Sequence, residues 1–218
     1  MSSITLHPTR HNVAYYHYKG TEQPILYYEG GVSEKILKAG FEQIDKLFSY
    51  YSKVTIVLTQ LHQPNYTPDN AMLSTYLKSM SNKLKKHFSA KCMAFLWARE
   101  QGSASDQQHY HIAFLLNGHK CNQSYTIDTL SREVWGNVCE NGFVYFPKNR
   151  VFCLHRSGKD SSLRRARMRM SYAAKMQTKT QIPARIKRFG VSQIAYQNCD
   201  RKLRAFRKIY PSTKTKKA

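Results

Sequence analysis

His109-Tyr110-His111 places two imidazoles on alternate residues of an apolar run, HYHIAFLLNG. Successive strand residues point to opposite faces, so the two histidines share one face. Their Cα atoms are then about 6–7 Å apart, given a rise of ~3.3 Å per residue. That spacing suits joint ligation of one metal ion. The chain has nine histidines, so the pair alone decides nothing and its neighbours must be weighed. The preceding run, CMAFLWARE (92–100), splits in the same way, with Cys92, Ala94, Leu96, Ala98 and Glu100 on one side and Met93, Phe95 and Trp97 on the other. If the two runs pair across QGSASDQQ (101–108), Glu100 and His109 meet at the base of that loop. Glu100 then joins both histidines on a face that also carries Ala113 and Leu115. Two histidines and one carboxylate can hold a divalent ion with positions left open. A solvated strand-end charge is the plain alternative for Glu100. The opposite face, with Tyr110, Ile112, Phe114 and Leu116, is bulky and should be core under helices. The face with the small residues should leave room for something to approach.

A second candidate is Tyr172, in SSLRRARMRMSYAAKMQ (161–177). At about 100° per residue, Leu163, Ala166, Met170, Ala173 and Ala174 form a narrow apolar stripe, and Tyr172 falls on the other side. Arg165, Arg169 and Lys175 flank it. Nearby cations favour the phenolate and attract phosphate. That is the setting of a tyrosine that attacks a phosphodiester. The plain alternative is a surface tyrosine on a DNA-binding helix.

Charge points to the same partner. The net charge is +22, and residues 156–218 hold 19 of the 35 lysines and arginines but only Asp160 and Asp200 of the 13 acids. Such one-sided charge is the footprint of a polyanion binder. Arg164, Arg165, Arg169, Lys179, Arg185, Lys187 and Arg188 are the expected DNA contacts. No apolar run approaches the ~20 residues that span a bilayer, and the N-terminus has no signal layout. The expectation is a cytoplasmic protein with no membrane partner. Five cysteines (Cys92, Cys121, Cys139, Cys153 and Cys199) include no C-x-x-C pair, so neither a disulfide framework nor a structural zinc site is expected. No P-loop is present, so any unwinding must come from a partner. No RRM-like or K-homology motif supports the rival reading of a basic RNA-binding protein.

The elements that must position these residues follow from periodicity. Two Tyr-rich runs, VAYYHY and PILYYEGG, read as a strand-like arm. Ser33 caps a helix over 33–51, and VTIVLTQL (54–61) is a buried strand. Thr67-Pro68-Asp69 opens a helix marked by Leu73, Leu77, Met80 and Leu84. Ile127, Leu130, Val134 and Val138 mark another, ended near Gly142. FVYF (143–146) and VFCLH (151–155) suggest a hairpin around Pro147-Lys148-Asn149. A basic helix spans 161–177, and the basic tail after 178 should be disordered. The fold class is α+β with a mostly antiparallel sheet. The expected units are an N-terminal arm and helix (1–50), a catalytic domain (51–180) and a basic tail (181–218).

The order of VTIVLTQL, then HYH, then Tyr172-Ala173-Ala174-Lys175 resembles the Rep branch of the histidine-hydrophobe-histidine, or HUH, endonucleases. WARE…HYHIAFLLNG…SYAAKMQTK also looks like the replication-initiation proteins of filamentous phages (inoviruses). The resemblance covers roughly residues 51–180. It implies a central five-stranded antiparallel sheet flanked by helices, with a tyrosine helix across the histidine face. It further implies His109, His111 and, more loosely, Glu100 as ligands of Mg²⁺ or Mn²⁺, Tyr172 as the single nucleophile, and Lys175 as its companion. The implied function is a sequence-specific single-stranded DNA nickase and ligase that initiates rolling-circle replication through a 5′-phosphotyrosine intermediate. Its implied partners are single-stranded origin DNA, which can include a hairpin, and a host helicase and polymerase in the bacterial cytoplasm. The alternative is a non-catalytic HUH-fold DNA-binding regulator of a phage, prophage or plasmid.

Overall fold

The computed structural model describes residues 3–101, 108–158, 160–177, 179 and 182–197. The 102–107 loop, Cys199 and the basic run beyond 197 lie outside them. The chain begins with three short strands, β1 (Ile4–Leu6), β2 (Val13–Tyr18) and β3 (Thr21–Leu26), which form their own antiparallel sheet in that order. Lys19 and Gly20 both have positive φ, 49° and 78°, as a two-residue hairpin turn requires. Helix α1 (Glu34–Tyr50) follows, with the Ser33 hydroxyl accepting from the Ile36 N–H. This is the cap read from sequence, and it satisfies an orphan donor of the first turn.

The large sheet is built on β4 (Lys53–Gln63), β5 (Ala94–Gln101) and β6 (Gln108–Asn117). β6 lies between β4 and β5, and the β5–β6 register sets Glu100 opposite His109, as alternation predicts. Helix α2 (Ala71–His87) starts later than Pro68, because the Asp69 carboxylate accepts from the Ala71 N–H and holds 68–70 as a loop. Helix α3 (Tyr125–Val138) packs beside α2.

The sheet has six strands, not the expected five. β7 (Phe143–Tyr145) and β8 (Val151–His155) are not a hairpin. Both run antiparallel to β4, one against 60–62 and the other against 53–57. They are one edge strand interrupted by a bulge over 146–150. Pro147 has no N–H to give a ladder and Asn149 sits at φ 53°, so the chain leaves the sheet and returns to it. At the other edge β9 (Phe189–Val191) pairs with β5, inside the stretch read as disordered tail. Gly190 permits this approach, since a Cβ there would lie 2.6 Å from the Trp97 indole nitrogen.

Helix α4 (Asp160–Met170) stops before the tyrosine, and Ser171–Ala174 form a 3₁₀ turn instead of continuing the helix. The predicted stripe is nonetheless buried from Leu163 to Ala174. Both faces of the sheet are covered. α2 and α3 close one over Trp97, Tyr110, Ile112 and Phe114, with Trp135 of α3 packed among them. α1, α4 and the 3₁₀ turn close most of the other, where Ala94, Ala98 and Ala113 let them come near, and the N-terminal sheet packs on α4 in turn. The small face is therefore not an open platform, and among the described residues its histidine end stays partly accessible. Arg167 pins this layer, pairing with Asp45 of α1 at 3.0 Å and lying over the Tyr18 and Phe41 rings at 5.1 and 5.2 Å. Tyr18 and Lys19 reach the same carboxylate, so β2, α1 and α4 share one buried charge.

Candidate metal centre and tyrosine turn

The end of β5, the start of β6 and the far end of β4 bring four chemically active side chains to one face. Glu100 is 1% exposed. Its Oε2 lies 3.4 Å from His109 Nε2 and 3.3 Å from His111 Nε2. One ligand atom from each of the three residues falls within 4.8 Å of the others, a group able to hold a metal ion. His111 Nε2 is buried and makes no hydrogen bond. Burying a ring nitrogen with no better contact than the 3.3 Å approach to Glu100 Oε2 is costly, and a cation between it and the carboxylate removes that cost. The donor set therefore fits a divalent metal.

Electrostatics within the cluster oppose its burial. Burial alone would raise the Glu100 carboxyl, but contacts from His109 and His111 and the charge of Lys179 hold it well below the usual carboxylate range. Burial lowers His111, against the pull of Glu100. Both shifts favour the metal-ready forms, an ionised carboxylate and a neutral imidazole.

Two residues of this centre were not foreseen. His62 stands opposite His109 on β4 and stacks on it, with ring centroids 5.1 Å apart and planes 9° apart. Burial and the charges of His109 and His111 push it down to about 4. Its position two and four residues after Gln60 and Leu58 marks the face, but only the β4–β6 register shows which histidine it meets. Lys179, expected on the DNA surface, is fully buried instead. Its Nζ donates to Glu100 Oε1 at 3.0 Å and to the Lys175 carbonyl at 2.8 Å, so two of its three N–H groups are engaged and its burial keeps the ammonium from a phosphate outside.

Tyr172 is held over this cluster from both sides of the chain. The Leu26 N–H donates to Ser171 Oγ, the Ser33 N–H to the Ala174 carbonyl, and Val32 bridges Lys175. The Tyr172 ring meets His111 edge-on at 4.8 Å and Tyr28 at 5.7 Å. Lys175 Nζ sits 5.8 Å from the Tyr172 ring centre and 5.1 Å from that of Tyr28. The sequence suggested that cations would favour the phenolate. Burial raises the Tyr172 phenol, Glu100 raises it further, and Arg169 opposes them only in part. Tyr28, a residue sequence reading passed over, is pushed up to about 12 by burial, then by Tyr172 and Glu100. A cleft of about 240 Å³ opens beside the turn, bounded by Gln60, His111, Tyr145, Arg169 and Tyr172. Of the other expected DNA contacts, Arg165, Arg185 and Lys187 are exposed and Arg164, Arg169 and Arg188 are half-buried. Cys92, Cys121, Cys139 and Cys153 are free. Among the described residues no helix is long and apolar enough to cross a membrane.

The class these features define is an α+β domain with a two-histidine, one-glutamate cluster on an antiparallel sheet and a tyrosine turn laid against it. The chain belongs to the YagK/YfjJ C-terminal domain family, whose model matches residues 18–192. That span contains the cluster, the tyrosine turn and Lys179. No curated protein and no solved structure matches the chain.

Proposed function

We propose that this protein is a single-tyrosine nickase and ligase of single-stranded DNA, of the HUH Rep type, that initiates rolling-circle replication in a bacterial cytoplasm. The observation that carries this reading is the Tyr172 ring packed 4.8 Å from His111, a member of the metal-binding cluster. Mg²⁺ or Mn²⁺ held by Glu100, His109 and His111 would withdraw charge from a scissile phosphate. Arg169, on the wall of the same cleft, orients that phosphate. Tyr172 Oη attacks phosphorus in line and its proton passes to solvent. The bond to the 3′ oxygen breaks, and that oxygen takes up a proton to leave as a 3′-hydroxyl. Lys175, above the ring, stabilises the phenolate as it forms. The phosphodiester energy stays in the 5′-phosphotyrosine link, so a 3′-hydroxyl can reverse the step. Without a P-loop, the unwinding and synthesis that follow belong to a helicase and a polymerase.

A second reading, a non-catalytic DNA-binding regulator, is favoured by one contact. Lys179 already neutralises Glu100 with a cation of the protein's own.

The experiment that separates them mixes the protein with single-stranded origin DNA and Mn²⁺. Only the 3′-labelled fragment should migrate as a protein-linked band, because the protein takes the 5′ phosphate. Tyr172→Phe should leave no adduct and no nick, and EDTA should stop cleavage while sparing much of the DNA affinity. Continued nicking by the Phe variant would replace this mechanism with hydrolysis by water. Absence of any nick in the wild type on every origin tested would favour the regulator.

A further inference from the structure

Two rows of side chains cross the sheet from the metal cluster to its β7 edge. Glu100, His109, His62 and Phe143 are successive cross-strand partners, and so are Ala98, His111, Gln60 and Tyr145. Residues in register share a face, so both rows point to the side where Tyr172 lies. The first row is a stack of parallel rings. His109 and His62 lie 5.1 Å apart at 9°, and His62 and Phe143 lie 4.4 Å apart at 7°. The rows end on Phe143 and Tyr145, which are 55% and 49% exposed. One face of Phe143 is spent on His62 and the other meets water. Tyr145 lines the cleft together with His111, Arg169 and Tyr172. There Arg169 Nε is buried without a hydrogen-bond partner.

We infer that Phe143 and Tyr145 form a stacking platform for unpaired bases of a single nucleic-acid strand, whose backbone passes through the cleft. The inference rests on the nickase reading of the site and names the part of the substrate it grips. Charge selects the occupant. Arg169 lines the cleft beside Tyr145 and donates to the Lys148 carbonyl at 3.4 Å, and the Lys148 side chain is exposed. A ring face beside cations fits a partner that carries flat apolar surfaces on an anionic backbone. Unpaired bases have free faces, and paired bases do not. Two strand spacings separate Phe143 from His109, about 10 Å. The stacked base therefore belongs to a nucleotide close to the scissile phosphate.

The test uses the full chain carrying Tyr172→Phe in EDTA, so that no strand is consumed and binding is read apart from cleavage. The probe is a fluorescent oligothymidine of about 12 nucleotides, within the span of single-strand sites. Phe143→Leu and Tyr145→Leu should each weaken binding about tenfold, the scale of one lost base stack. Phe143→Trp should restore it, because a flat ring and not apolar bulk is what counts. An abasic strand should bind the wild type and the Leu variants alike. Unchanged affinity in both Leu variants, or an equal loss on the abasic strand, would overturn the platform. So would unchanged strand affinity accompanied by loss of a self-association seen in the wild type, which would assign β7 to a protein contact. If stacking losses appear but Mn²⁺ yields no adduct with the unsubstituted protein, the platform stands and the nickase reading fails. An adduct without stacking losses has the opposite meaning.

Discussion

Arg99 and Glu100 are neighbours at the end of β5, and they face opposite sides of the sheet. Arg99 turns toward α2, fully buried, and donates to the carbonyls of Thr67 and Asp69. It fixes a loop, and its acceptors, these two carbonyls and the Asn70 side-chain amide oxygen, are neutral groups that offer no proton to exchange. Glu100 turns toward the tyrosine and is ringed by groups that compete for it, namely two imidazoles and the Lys179 ammonium. The helix face beyond Arg99 is aliphatic and aromatic, with Trp135, Tyr76 and Phe114 wholly buried. The other face keeps the exchangeable charges. One side of the sheet is packed as core and the other gathers ionisable groups into a cluster able to hold a metal, although one strand supplies both.

The largest expected effect lies on the helix side. Trp135→Ala should cost about 3–5 kcal/mol of stability, as for other buried Trp truncations, read as a lowered urea midpoint. Mn²⁺ affinity of the protein that remains folded should change little, even though the Trp135 indole donates to the His62 carbonyl at 3.0 Å. A large loss of Mn²⁺ affinity in folded protein would break the division between the faces. A smaller effect is expected on the site side. Lys179→Met removes a cation 3.0 Å from Glu100 Oε1 that repels an incoming metal ion. Mn²⁺ should then bind about tenfold more tightly by calorimetry, the order expected for like charges a few ångströms apart in a partly polar site. Weaker Mn²⁺ binding would recast Lys179 as the group that holds Glu100 in place for the metal. The smallest effect belongs to the exposed Arg165. Arg165→Ala should reduce the salt dependence of single-strand binding by about 0.7 in log–log slope if it contacts one phosphate. An unchanged slope would remove it from the DNA surface.

The β5–β6 pairing was legible because residue type alternates cleanly on both strands, and that alternation fixes a register to the residue. Glu100 opposite His109 followed directly. The α4 stripe was legible for the same reason at a different period. His62 was not, because its role depends on pairing between strands about fifty residues apart in sequence. Lys179 was misread because a lysine in a basic run looks solvated, and only the fold shows a carboxylate waiting for it. Pro147-Lys148-Asn149 suits a hairpin turn and a bulge equally well, and only the length of β4, which pairs with both β7 and β8, decides for the bulge. The tyrosine turn was read as helix because Ser171–Ala174 carries no Gly or Pro to mark a stop. What ends α4 is tertiary: Ser33 and Leu26 take the turn's hydrogen-bonding groups. The Tyr-rich arm read only as strand-like is the sheet that packs on α4.

Those contacts have a consequence during synthesis. The segments that clamp Tyr172 lie at Leu26 and at Val32–Ser33, so they leave the ribosome long before the tyrosine does. At about 5–20 residues per second, many seconds separate the two. Until then β3 waits without the helix it packs on, and Glu100 has neither Tyr172 nor Lys179 beside it. A nascent chain that ends before residue 172 therefore carries the histidines and the carboxylate without the tyrosine that lies against them. On the nickase reading proposed above, the order of translation supplies the metal cluster first and the attacking group last.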